Sequence, residues 1–186
     1  MIAYFRMEII FFEKTSDLRK NLEMLQKKLE VRIEISGRKV TIEGDSVKEY
    51  EAMRVLEALQ IGFPVKRALF LLDENFAFIK LNIKNLTNRK DLDVVRGRVI
   101  GKEGKTKRTI EDVADCFIAV SGNEVGIIAD GESIEEAKTA VTNLIKGTKE
   151  ANVYNFLERM NATKKKRGML YIKKDLKKGD SKEDGD

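Results

Sequence analysis

The chain contains one stretch twice. Residues 31–62, VRIEISGRKVTIEGDSVKEYEAMRVLEALQIG, align without gaps on residues 116–147, CFIAVSGNEVGIIADGESIEEAKTAVTNLIKG, at a constant offset of 85. Val31, Ile33, Ile35, Ser36, Gly37, Val40, Ile42, Ala52, Leu59 and Gly62 meet Cys116, Ile118, Val120, Ser121, Gly122, Val125, Ile127, Ala137, Leu144 and Gly147. A repeat of this size predicts two copies of one small domain. Within each copy, alternation at Cys116/Ile118/Val120 and Val125/Ile127/Ala129 predicts two strands, each with one buried face. The Ser-Gly pairs at 36–37 and 121–122 mark the hairpin between them. Ile134, Ala137, Val141 and Leu144 then recur at helical spacing, and Gly147 is placed to end that helix. A leading strand precedes each unit, at 7–12 and 76–83.

The copies differ between leading and second strand. The first has EKTSDLRKNLEMLQKKLE, glycine-free, which predicts one helix with Thr15 or Ser16 as N-cap. The second uses 84–115, enough for helix, glycine loop and helix. Its middle, 96–108, carries Arg96, Arg98, Lys102, Lys105, Lys107 and Arg108 against the single acid Glu103. That excess equals the +5 of the whole chain, and a field so focused attracts polyanions. Residues 1–70 hold 13 cations and 11 anions, so no such focus exists there.

Two phosphate-holding patterns compete for this loop. Gly104-Lys105-Thr106 ends like a nucleotide-binding G-x-x-x-x-G-K-[ST] loop, but Val99 stands where the first glycine belongs. No preceding strand leads into it either. The other pattern is I-G-x-x-G, Ile100-Gly101-Lys102-Glu103-Gly104. Two glycines let backbone approach backbone, and the following helix offers free N–H groups to phosphate. The strand–helix–GxxG–helix–strand–strand–helix order is that of the type I KH module, whose loop clamps about four nucleotides of a single strand.

The expected fold is therefore α+β: two tandem KH-type domains, each a three-stranded antiparallel sheet with helices on one face, the first degenerate, plus a C-terminal helix. The boundaries fall at 1–74 for the degenerate domain and linker helix, 75–167 for the RNA-binding domain with its last helix, and 168–186 for a disordered tail. The expected RNA-binding residues are Gly101, Lys102 and Gly104 in the loop, with Arg96, Arg98, Lys105, Lys107 and Arg108 flanking it. Val99 and Ile100 would floor the groove, and Ile118 and Ala119 would lend strand backbone to base edges. Asn123 reads as a turn residue and Cys116 as a buried strand residue. Tyr154 and Phe156 either pack the last helix or stack a base, and Lys164–Arg167 would add phosphate contacts.

The run RGRVIGKEGKTKRTIE, the later VYNFLERM and the linker IGFPVKRALFLLDE resemble one ribosome-assembly family over about 7–167. This is the partner-of-Nob, or Dim-type, family in its archaeal form. The resemblance implies binding of single-stranded RNA near the 3′ end of small-subunit ribosomal RNA. It also implies contact with the nuclease that matures that end and with the alpha subunit of initiation factor two. Archaeal relatives commonly keep a glycine loop in the first domain too, and this chain has none there. The Krr-type assembly factors, also with paired KH domains, are the confusable family. A protein scaffold with little RNA affinity is the other alternative.

Histidine is absent and Cys116 is the single cysteine, so neither a catalytic site, a metal site nor a cofactor is expected. With no signal-peptide pattern and no long apolar run, the expected setting is soluble and cytoplasmic, away from membranes.

Overall fold

The computed structural model describes residues 8–179, with side chains to Lys164. The first half runs β1 (Glu8–Phe11), α1 (Ser16–Lys20), α2 (Leu22–Leu29), β2 (Arg32–Ser36), β3 (Lys39–Glu43), α3 (Ser46–Ile61) and α4 (Val65–Ala68), closed by a 3₁₀ turn over Leu69–Leu72. The second runs β4 (Phe76–Asn82), α5 (Ile83–Leu86), α6 (Leu92–Ile100), α7 (Lys105–Ala114), β5 (Cys116–Ser121), β6 (Glu124–Asp130), α8 (Ile134–Lys146) and α9 (Glu150–Gly179). Two three-stranded antiparallel sheets result, ordered β1-β3-β2 and β4-β6-β5. In each, the third strand in sequence lies centrally and the second is an edge.

The repeat governs geometry down to single residues. Ile33 pairs with Ile42, and Ile118 with Ile127, at the same 85-residue offset. Asp45 caps α3 by accepting from the amides of Val47 and Lys48; Asp130 accepts from those of Glu132 and Ser133 just before α8. Gly62 and Gly147 end those helices at φ 102° and 103°. The equivalence extends back beyond the stretch visible in sequence. Glu30 and Asp115 both sit in the left-handed region, at φ 55° and 49°, ending α2 and α7.

Two expectations need correction. Residues 15–29 are not one helix. Asn21 leaves the helical region at φ −110°, ψ 10°, while its side-chain amide donates to the Asp17 carbonyl at 2.8 Å, a back-bond that competes with helix continuation. At the other end, α9 continues past Arg167 to Gly179, so 168–179 is helical instead of disordered. The stretch is rich in Lys, Leu and other strong helix formers. Residues 180–186 lie outside the described residues.

Each half has its own core, but the sheets are covered differently. Ile118, Ile127, Ala129, Val141 and Leu144 fill the core between the second sheet and its helices. The opposite face of that sheet is buried too: Ala119 and Ile128 belong to the first half's core, with Phe76, Phe78 and Phe117 packed against it. Strands β5 and β6 therefore have two buried faces where alternation predicts one. The corresponding face of the first sheet is open, with Ile9 and Phe11 46% and 63% exposed.

Candidate nucleic-acid interface

Helix α6 delivers the chain to the glycine loop. Its Asp91 N-cap accepts from the amides of Asp93 and Val94, and Val95 and Val99 anchor its inner face at zero exposure. The outer face presents Val94, Gly97 and Ile100, spaced three residues apart. Val94 and Ile100 are 49% and 37% exposed, and the space over Gly97 is open. This apolar strip leads to the loop.

The loop turns on Gly101 (φ 76°, ψ 172°), Glu103 (φ 52°, ψ 27°) and Gly104 (φ 75°, ψ 14°). A Cβ at Gly101 would lie 2.6 Å from the Thr106 backbone nitrogen and would collide with the buried Thr106 side chain. Only glycine fits there. Gly104 is required by its backbone angle alone, since the nearest atoms to a Cβ would belong to Arg108 at 3.9 Å. No side chain caps the N-terminus of α7; the Gly104 amide donates to the Gly101 carbonyl at 3.2 Å and the Lys105 amide to that of Lys102, and the positive dipole end of the helix lies beside the loop.

The expected cations do not act as one group. Lys102 and Lys105 are exposed and, among the described residues, pair with no acid. Arg108 folds back onto the loop, donating to the carbonyls of Glu103 and Gly104, and so braces it. Arg96 pairs with Asp93 and donates to the Gly122 carbonyl at 3.0 Å, tying α6 to the β5–β6 hairpin at the far end of the groove. Arg98 lies elsewhere, on the helix face toward Gly147 at the end of α8, with Arg89 nearby. Lys107 faces Glu111 at 3.6 Å.

The other wall is the free edge of β5. The Ile118 amide points outward from the sheet, yet the Glu111 carboxylate accepts it at 2.8 Å. Two-residue alternation turns the Ala119 backbone toward β6 and gives Val120 the same outward direction as Ile118. Val120 is thus the strand residue with both groups available to a base edge. Val99 and Ile118 are 0% and 1% exposed and lie in the core, so neither side chain is accessible from the groove. Only Ile100 of the expected floor is accessible. Spacing along α6 would have revealed Val94 and Gly97; nothing local revealed Glu111 or Val120.

Elsewhere, Asn123 lies in the hairpin turn, where its carbonyl accepts from the Ile83 amide at 2.8 Å. Tyr154 and Phe156 pack against the second core. Lys164 pairs with Glu136 at 2.9 Å and donates to Ser133, which docks α9 instead of leaving a cation for phosphate. The side chains of the rest of that basic run, 165–167, lie outside the described residues. Cys116 is buried, its thiol pushed up to about 12 by burial and then by Glu111 and Asp115. Among the described residues no helix is long and apolar enough to cross a membrane, and no acid–cysteine cluster is arranged to hold a metal.

A glycine loop at an uncapped helix start, facing the free edge of a three-stranded sheet, defines a type I KH module. The family model for the eukaryotic-type KH domain, type I, matches residues 77–162. The KH domain-containing protein MJ0443 of Methanocaldococcus jannaschii is 32% identical over 157 residues, covering 81% of this chain and 68% of that protein. The RNA-binding protein pno1 of Dictyostelium discoideum is 29% identical, over 77% of this chain and 66% of its own length. Among solved structures, Dim2p from Pyrococcus horikoshii superposes with a TM-score of 0.75 at 28% identity, covering 83% of this chain and 99% of that one. An a/eIF2alpha–aDim2p–rRNA complex from the same organism gives 0.75 at 27% identity, covering 84% of this chain and 94% of that one. The chain belongs to the PNO1/Dim2 family of KH-domain proteins. It spans about two thirds or less of the curated eukaryotic relatives it matches.

Proposed function

We propose that this chain binds single-stranded RNA near the 3′ end of small-subunit ribosomal RNA, during subunit assembly. A backbone phosphate rests against the glycine loop and the positive end of α7, with Lys102 and Lys105 supplying charge. Bases lie over Val94, Gly97 and Ile100, and Val120 offers its amide and carbonyl to one base edge. The observation that carries this reading is the closed space at Gly101 beside the uncapped start of α7, a backbone surface shaped for an anion. Relatives named as RNA-binding and pre-rRNA-processing proteins support it, as does the relative crystallised with rRNA.

On this reading the first half is a KH domain that has lost its glycine loop, and it serves protein contact. The a/eIF2alpha in the relative's complex supports one such partner. The nuclease that matures the RNA end is proposed from family resemblance alone. The chain acts by binding and carries out no catalysis.

The test is fluorescence anisotropy with an oligonucleotide matching the mature 3′ end. The native chain is compared with a Lys102→Asp, Glu103→Asp double variant, with circular dichroism confirming the fold. Binding should fall at least tenfold in the variant. Its affinity should also lose salt dependence, by about 0.7 in log–log slope for each phosphate contact removed. Equal binding by both proteins would refute the clamp.

A further inference from the structure

Glu111 holds more charge than its position in the fold requires. Its Oε1 accepts the Ile118 amide at 2.8 Å, and the same atom lies 3.1 Å from Nη1 of Arg67 and 3.6 Å from Nζ of Lys107. The first half contains the same device without the charge. Gln26, 85 residues earlier, accepts the Ile33 amide through Oε1, also at 2.8 Å. A neutral side chain thus suffices to hold the edge-strand amide. Around Gln26 there is no matching pair of cations: Leu22 occupies the place of Lys107, and Arg32, in the place of Phe117, pairs with Glu34.

The carboxylate of Glu111, 11% exposed, is therefore matched to the two cations. Lys107 stands in the first turn of α7 beside the phosphate seat. Arg67 comes from the first half, on α4, and stacks over Phe117 with its guanidinium carbon 4.6 Å from the ring centre. Through Glu111 both stand at the free edge of β5 beside the Ile118 amide, and both are already neutralised in part.

We propose that Glu111 is a specificity-determining brake: it restrains Lys107 and Arg67, keeping affinity for arbitrary polyanions low. The first half, through Arg67, thereby sets how selectively the second half binds RNA. This inference rests on the RNA-binding reading above. A correctly seated strand binds through the loop and the Val120 edge and needs neither cation, whereas a poorly fitting strand depends on unspecific charge.

Four variants test it by anisotropy against the 3′-end oligonucleotide and a scrambled strand of the same composition. Glu111→Gln keeps the Ile118 bond, as Gln26 keeps its own, and protection of the Ile118 amide from hydrogen exchange verifies this. It should tighten binding of the scrambled strand several-fold and steepen the salt slope by up to about 1.4, two contacts at about 0.7 each. The matched strand should gain less, so discrimination falls. Asp112→Asn, an equal charge change at the exposed neighbouring position, should alter little. Arg67→Met should weaken binding of the scrambled strand and leave the matched strand little changed, and Arg67→Met with Glu111→Gln should steepen the slope by only about 0.7. Equal behaviour of Glu111→Gln and Asp112→Asn overturns the brake. If that occurs while the loop double variant still abolishes binding, the clamp survives without it. If the loop variant binds normally, both readings fall.

Discussion

The two halves share a backbone plan and part company at their surfaces. At four ladder positions on one face of the first sheet stand Arg32, Glu43, Glu34 and Thr41; the same positions of the second hold Phe117, Ile128, Ala119 and Gly126. Charge and hydroxyl became ring, branch, methyl and hydrogen. The reason is the neighbour. The second sheet's face receives the first half's α3, α4 and 3₁₀ turn, whereas the first sheet's face meets no other element among the described residues. The two halves thus differ first where one must cover the other, and second where only the second carries the glycine loop.

Gly126 and Thr41 offer the sharpest way to break this comparison. A Cβ at Gly126 would lie 2.7 Å from Cε2 of Phe63 and 3.3 Å from atoms of Ile61 and Phe78. Gly126→Thr should therefore destabilise the chain by about 3 kcal/mol, the upper range of overpacking. Thr41→Gly, on the open face, should cost only about 1 kcal/mol through backbone entropy and lost strand preference. Urea unfolding of both variants checks the asymmetry. Equal costs would mean that the halves do not pack as described.

Much of this was legible in the sequence because strand alternation, the hairpin glycines and the helix-ending glycines are local properties. The glycine loop was legible for the same reason: Gly101 and Gly104 answer to backbone angles and a near neighbour. What sequence reasoning missed depends on elements far apart in the chain. The single buried face assigned to β5 and β6 failed because the cover comes from residues more than forty positions earlier. The alignment itself held a signal, in the exchange of Arg32 and Glu43 for Phe117 and Ile128. Arg96, Arg98, Lys107 and Arg108, expected to flank the loop, turn to different partners because helical rotation separates them, which a run of charges in sequence does not register. The break at Asn21 turns on one side-chain bond that periodicity does not register.

Cys116 and its counterpart Val31 provide a second, smaller test. Both are buried, Cys116 at the first position of β5 and Val31 just before β2, but only the thiol can ionise. Burial first, then Glu111 and Asp115, raise it from 9.0 to about 12 in the folded chain. Above the unfolded value, the unfolded chain releases a proton that the folded chain retains. Stability should thus be unaffected below about pH 9 and fall by about 1.4 kcal/mol per pH unit from there toward 12. Cys116→Val should remove that slope while other alkaline titrations remain. The thiol of the native chain should also resist alkylation at neutral pH until denaturant is added. Parallel alkaline unfolding curves for the two proteins would contradict this.

The smallest effect separates the helices that follow each sheet. Glu51 and Glu136 are repeat equivalents, and each has a cation, but from different sources. Glu51 pairs with Lys48 of its own helix at 3.2 Å, and both side chains are about one-third exposed. That carboxylate, followed by Glu30, holds the Lys48 ammonium above its ordinary value. In the second half Ser133 replaces that lysine, and Lys164 reaches from α9 to Glu136, whose side chain is 11% exposed. The pairing is one of charge more than of a well-angled hydrogen bond. Lys164→Met should leave a mostly buried carboxylate unmatched and cost about 1–2 kcal/mol, below the full buried-pair value because Lys164 itself is partly exposed. Glu136→Gln in the same chain should recover most of that loss. Lys48→Met should shift the unfolding midpoint little, since water replaces the ammonium around Glu51. If both lysine variants unfold alike, α9 is not held to α8 by this pair, and its attachment rests on the apolar contacts of Val153, Tyr154, Phe156 and Leu157 and on the Asn161 amide donated to the Val113 carbonyl.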